Sequence, residues 1–92
     1  MAKITIERPH SLGRDAARQK AEQLAERLAQ QYDVRYRWNG DSLEFKRSGA
    51  DGSIDVHEDR VRVRLSLGLL LSAMSSSIKR EIEDTLDKHL QA

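Results

Sequence analysis

A chain of 92 residues with 38% hydrophobic side chains can bury one modest core and not two. Charged residues reach 34% against 4% aromatic, and the net charge is +1, so bulk electrostatics single out neither nucleic acid nor a membrane surface as partner. The sequence has no cysteine, which excludes a disulfide framework and thiolate metal sites.

The apolar residues are periodic and not scattered, which separates the chain from disordered sequences. Met1 to Pro9 alternates charged and β-branched residues and has no apolar run of signal-peptide length. The most apolar stretch, Leu65 to Met74, is about half the length of a membrane span and is interrupted by Ser66, Gly68 and Ser72. The expectation is a single domain, residues 1–92, in a cytoplasmic protein without a membrane span.

Lys3 to Glu7 predicts a first strand with Ile4 and Ile6 inward, ended by Pro9. Ser11 is the expected N-cap of a helix that runs from Leu12 to about Tyr32. Its contact stripe holds Ala17, Ala21, Leu24, Leu28 and Tyr32, with Ala25 and Ala29 beside it, small enough to let the helix approach a sheet closely. Val34, Tyr36 and Trp38 alternate with Arg35 and Arg37 as a second strand, and Asn39-Gly40 is a strong hairpin signal. A two-residue turn there sets Tyr36 opposite Leu43, Val34 opposite Phe45 and Arg35 opposite Glu44.

A third strand, Ser42 to Arg47, leads into the turn-rich Ser48–Gly52 loop. Ile54 and Val56 form the dry side of a fourth strand. A turn at Glu58-Asp59 pairs Val56 with Val61, Ile54 with Val63 and Asp55 with Arg62. From Arg60 to Leu67 arginines alternate with Val61, Val63 and Leu65, the period of two of a half-wet strand. Beyond Gly68, Leu71, Met74, Ile78, Ile82, Leu86 and Leu90 recur at helical spacing, which favours one continuous helix through Ser75-Ser76-Ser77 over a restart there.

The predicted fold is α+β, in the order β-α-β-β-β-β-α, an antiparallel sheet with two long helices packed on one face. The first strand is placed antiparallel beside the last; a parallel position beside the second is the alternative.

Candidate chemistry is sparse. His10, His57 and His89 lack a second ligand at metal spacing, so no metal site is expected. His10 fits a strand-to-helix corner, and an imidazolium at His89 suits the end of the last helix. No serine lies in a nucleophile elbow, no glycine-rich loop opens a helix, and Asp55, Glu58 and Asp59 fall in an exposed turn. Neither an enzyme nor a cofactor is indicated. The feature most open to a functional reading is the arginine ladder: Arg35 and Arg37 on one strand, and Arg60, Arg62 and Arg64 on another, all on the wet face and suited to an anionic ligand or partner. Glu7, Glu44 and Asp55 share that face and can neutralise it, and no aromatic residues interleave there as single-stranded nucleic acid would need.

Several stretches together resemble one small bacterial family: Ile4-Thr5-Ile6, His10-Ser11-Leu12 before Ala16-Ala17-Arg18, Trp38-Asn39-Gly40-Asp41, Leu43-Glu44-Phe45, Gly49 with Gly52, and the Leu65–Leu71 run before Ile78, Ile82 and Leu86. The chain is similar to the polyhydroxyalkanoic acid system proteins, whose genes accompany those for storage-polyester synthesis. The resemblance implies a small non-catalytic accessory or interaction protein of the polyhydroxyalkanoate system, associated with granules and partnered by granule proteins. It supplies no catalytic residues. A second reading is a small acyl-ligand carrier, holding its ligand between the C-terminal helix and the sheet by analogy with helix-grip folds. A homodimer is a further expectation, since a free edge strand in so small a domain is often covered by a second copy.

Overall fold

The structure is a computed structural model that describes residues 2–90. Its elements are β1 (Ala2–Pro9), α1 (Arg14–Tyr32), β2 (Arg35–Asn39), β3 (Ser42–Arg47), β4 (Ala50–Val56), β5 (Arg60–Leu67), α2 (Leu69–Ser72) and α3 (Ser75–His89). The five strands form one antiparallel sheet in the order β1-β5-β4-β3-β2. β1 therefore lies antiparallel beside β5, and not parallel to β2. That position sets Glu7 opposite Arg62 and Ile6 opposite Val63, so charge meets charge and apolar meets apolar.

Alternation gives the sheet one dry face. Ile4, Ile6, Leu43, Phe45, Ile54, Val56, Val61, Val63, Leu65 and Leu67 join Ala17, Ala21, Leu24, Ala25, Leu28, Ile78, Ile82 and Leu86 in one core cluster. Both long helices thus cover the same face. α1 packs on β2, β3 and β4 through its alanines, while α3 packs on β1 and beside α1. Arg18 ties α1 to the β2–β3 turn. It donates to the Gly40 carbonyl and the Asp41 carboxylate, both at 2.8 Å, and its guanidinium lies 4.1 Å from the Trp38 ring centroid.

The β4–β5 hairpin has the expected register, Val56 with Val61 and Asp55 with Arg62. The β2–β3 hairpin departs from expectation by two residues. Tyr36 faces Phe45, Trp38 faces Leu43 and Arg37 faces Glu44. The turn centres on Gly40-Asp41, with Gly40 at a φ of 64° and Asp41 at negative φ, the pattern of a type II′ turn and not of the I′ turn read from Asn39-Gly40. A slip of two keeps every side chain on its face, so the core is unchanged. In this register the Asp41 carbonyl accepts the Val56 N–H at 2.9 Å.

Three local expectations are also corrected. The helix begins at Arg14 with Gly13 at the N-cap (φ 84°), and Ser11 does not cap it. The His10 ring accepts the Leu12 N–H at 3.2 Å and bonds the His57 carbonyl at 3.1 Å, so Ser11 and Leu12 belong to the corner. The β3–β4 connection is only Ser48-Gly49, since Ala50–Gly52 already pair within β4. The C-terminal helix is interrupted at Ala73-Met74, and Met74, expected on the core stripe, is 43% exposed.

Gly52 sits opposite Phe45 and Leu65 on the dry side, where a Cβ would run into the Arg64 carbonyl oxygen and stand 2.9 Å from the Leu65 Cα. Those are backbone atoms of the central strand pair and cannot give way cheaply. Gly52→Ala is expected to lower unfolding stability by about 1–3 kcal/mol, read as a lower urea midpoint at unchanged slope.

Candidate functional site

The five arginines of the ladder all lie on the open face of the sheet, but the topology divides them. β4 and β3 separate β5 from β2, so the groups stand roughly 14 Å apart at the usual strand spacing. The β5 group is largely neutralised. Arg62 Nε donates to Glu7 at 2.7 Å, Arg64 donates to Asp55 at 2.9 Å, and Arg60 lies 3.9 Å from both Glu7 and Asp59. The Arg62 hydrogen bond, aided by the charges of Arg62 and Arg60, holds Glu7 below the usual carboxylate range.

The β2 group is freer. Arg37 is 3.9 Å from Glu44, and Arg35 has no carboxylate within 4.0 Å among the described residues. With Lys46, Asp51 and Ser53 the two arginines line a shallow hollow of about 630 Å³ on the open face. The structure therefore brings Arg35 and Arg37 to a depression that they share with Lys46, Glu44 and Asp51, and leaves Arg60, Arg62 and Arg64 paired with carboxylates.

The remaining candidates have structural employment. His10 closes the corner between β1 and α1. Asp55 accepts Ser42 Oγ at 2.7 Å as well as Arg64, and Glu58 lies 3.9 Å from Arg14, so the carboxylates of that turn do not converge. His89 corrects its expectation. Burial, followed by the charges of Lys20, Lys88 and Arg27, pushes its pKa down, so an imidazolium is disfavoured there despite the helix dipole. Among the described residues no group of His, Asp and Glu is arranged to hold a metal ion. Between helices and sheet, where an acyl chain was expected to fit, Leu28, Phe45, Leu65, Leu71 and Ile78 close around a cavity of only about 20 Å³.

One surface feature was not foreseen. Leu69 and Leu70 are 83% and 90% exposed, and Met74 joins them at the break before α3. α2 is held by its base: the Gly68 N–H donates to the Gly49 carbonyl at 2.7 Å, Ser72 Oγ donates to the Gly68 carbonyl at 2.8 Å, and Leu71 alone of the three leucines turns toward the core. Beside the β3–β4 turn that receives α2, Asp33, Arg35, Lys46, Arg47 and Ser48 border a hollow of about 230 Å³. Two leucines on a short pedestal thus project beyond the Ser48-Gly49 turn that anchors them. The signal in the sequence was position: Leu69 and Leu70 fall off the Leu71–Ile78–Ile82 stripe, and Gly68 and Ser72 bracket one helical turn.

Glu7 and His89, both shifted downward, give acid sensitivity of the same sign. A folded pKa below the unfolded one stabilises the fold above the unfolded value and loses that contribution as pH falls. For His89 the loss begins near its ordinary 6.5, and for Glu7 near 4.5. The melting temperature is expected to fall between pH 7 and pH 5.5, two values chosen to bracket the ordinary histidine range. His89→Gln is expected to flatten that limb while leaving the loss below 4.5 in place.

The fold has a counterpart among solved structures. The NMR structure of PA4090 from Pseudomonas aeruginosa superposes with a TM-score of 0.66 over 100% of this chain and 88% of that one, at 10% identity, which makes it a likeness of fold. No curated protein sequence matches the chain. The profile of the family described as "Putative polyhydroxyalkanoic acid system protein" matches residues 4–90, nearly the whole chain. With its motifs now placed on strands and turns of one sheet, the chain belongs to that family of polyhydroxyalkanoic acid system proteins.

Proposed function

We propose that this chain is a non-catalytic accessory protein of the polyhydroxyalkanoate system that docks on the apolar surface of storage granules through the α2 tip. The observation that carries the reading is the pair Leu69 and Leu70, held almost fully in solvent on a helix anchored at its base. Exposing two leucines side by side is costly for a protein that buries nearly all its other large aliphatic side chains. A polyester surface removes that cost. Lys46 and Arg47, on β3 just before the turn that anchors α2, favour a surface that also carries anionic groups, in the manner of interfacial amphipathic segments.

The carrier reading finds less support, because a cavity of about 20 Å³ holds at most a water or so and no acyl chain. A non-catalytic role is supported by His10, Asp55 and Glu7, which are engaged in a corner, a turn and a strand pair.

Granule docking is tested by co-sedimentation of the purified chain with polyhydroxyalkanoate particles. Leu69→Ser/Leu70→Ser is expected to weaken retention about tenfold or more while leaving the melting temperature unchanged, since neither side chain is packed. Retention that is indifferent to the double change contradicts the docking role.

A further inference from the structure

We infer that β1 is the edge through which two copies of this chain join, as a two-fold antiparallel continuation of the sheet. The sheet has two free edges, β1 and β2, and they are built in opposite senses.

The backbone phase of β1 follows from its hydrogen bonds. The His10 N–H donates to the Asp59 carbonyl at 2.9 Å, which makes that pair a hydrogen-bonded one. Alternation then turns Arg8, Ile6 and Ile4 toward Val61, Val63 and Leu65, and turns the N–H and C=O groups of Lys3, Thr5 and Glu7 outward. The β5 side agrees: the His57 N–H bonds the Arg60 carbonyl at 2.9 Å, so the even residues of β5 face β4 and the odd ones face β1.

An antiparallel copy must meet these outward groups with its own. The register with the longest overlap centres on Thr5, and it pairs Lys3 with Glu7 of the copy, Thr5 with Thr5, and Glu7 with Lys3. On the open face it places a cation opposite a carboxylate twice and a threonine pair between them. On the dry face it sets Ile4 beside Ile6 of the copy. Pro9, which has no N–H to give, closes the ladder at each end. α3 completes the match. Arg8 reaches from β1 to Asp87 at 2.9 Å and to Glu83 at 3.2 Å, which puts the Glu83 flank of α3 on the β1 side, with Lys79 one turn away on that flank. Two α3 helices brought together there meet with Lys79 and Glu83 available to each other.

β2 is built against the same event. The Val56 N–H to Asp41 carbonyl bond turns Leu43 and Phe45 toward β4, so Arg35 and Arg37 bond inward to β3 and the main-chain groups of Tyr36 and Trp38 face out. Joining two β2 strands through Tyr36 then sets Arg35 against Arg37 or Arg37 against itself. Like charges directly opposite guard that edge.

Sedimentation velocity on the full chain, from low micromolar to about 1 mM, the weak end of the affinity scale, decides the matter. The expected result is a species of twice the 10.5 kDa chain mass. Thr5→Pro removes an outward N–H and no ladder bond to β5, and is expected to leave a folded monomer. Tyr36→Pro does the same on the opposite edge and is expected to leave the dimer. Lys3→Glu is expected to weaken association about tenfold, and Lys3→Glu/Glu7→Lys to restore it. Lys3 has no carboxylate partner among the described residues, so this variant decides the question even if a proline variant fails to fold. A chain that stays monomeric throughout the range, a dimer that survives both Thr5→Pro and Lys3→Glu, or one that is lost with Tyr36→Pro overturns the inference.

Discussion

The structure depends on the seating of the α1 alanine stripe against the middle of the sheet. Ala17, Ala21 and Ala25 present almost no side-chain volume, so Leu24 and Leu28 reach down to Leu43, Phe45 and Ile54 on the dry face. Close approach by α1 leaves room for α3 beside it over β1, and Ile78, Ile82 and Leu86 finish the layer. Interiors pack at crystal-like density, and this one follows the rule, with Leu24, Leu43, Ile54 and Ile82 fully buried and little free volume between helices and sheet.

That economy fixes what remains for function. Among the described residues the space between helices and sheet is a cavity of about 20 Å³, and the larger hollows lie on the surface. Three surfaces stand out, and they differ in character. The open sheet face is mixed in sign, with the β5 arginines held by Glu7 and Asp55 and the β2 arginines around a hollow. The α2 tip is apolar. The β1 edge offers unsatisfied main-chain groups in a pattern complementary to itself. Surface ion pairs of the β5 kind contribute little stability, typically below about 1 kcal/mol each, and their effect here is to cancel charge that the sequence places in a row.

Most of the architecture was legible because period and burial agree. Strict alternation in Arg60–Leu67 and the Ile78–Ile82–Leu86 stripe each admit one reading, and the β4–β5 register followed from matching apolar to apolar and Asp55 to Arg62. The failures have local causes. Asn39-Gly40 satisfies two turn types, and the choice between them depended on the Asp41 contacts with Arg18 and Val56, which sequence spacing does not reveal. Ser11 is a good cap in isolation, yet His10 captured the neighbouring N–H first. Met74 fits the helical stripe by number, but α2 is anchored to Gly49 through Gly68, and that anchor turns the chain before α3 begins. The arginine ladder was correctly placed on the wet face. Its division into a tightly paired half on β5 and a looser half on β2 depends on strand order, which two well-separated strands do not state.

The packed layer is interrupted between Leu67 and Ile78, where Leu71 alone turns inward and Leu69, Leu70 and Met74 stand outside it. Residue-resolved amide hydrogen exchange tests this most directly, because protection reports which segments open locally and which open only with the whole fold. The amides of Val63, Ile82 and Leu86 are expected to exchange at the slow global limit, and those of Leu70 to Ala73 orders of magnitude faster. Equal protection across Leu70–Ala73 and Ile82–Leu86 would mean that one unbroken helix is buried there, and the apolar tip would not exist.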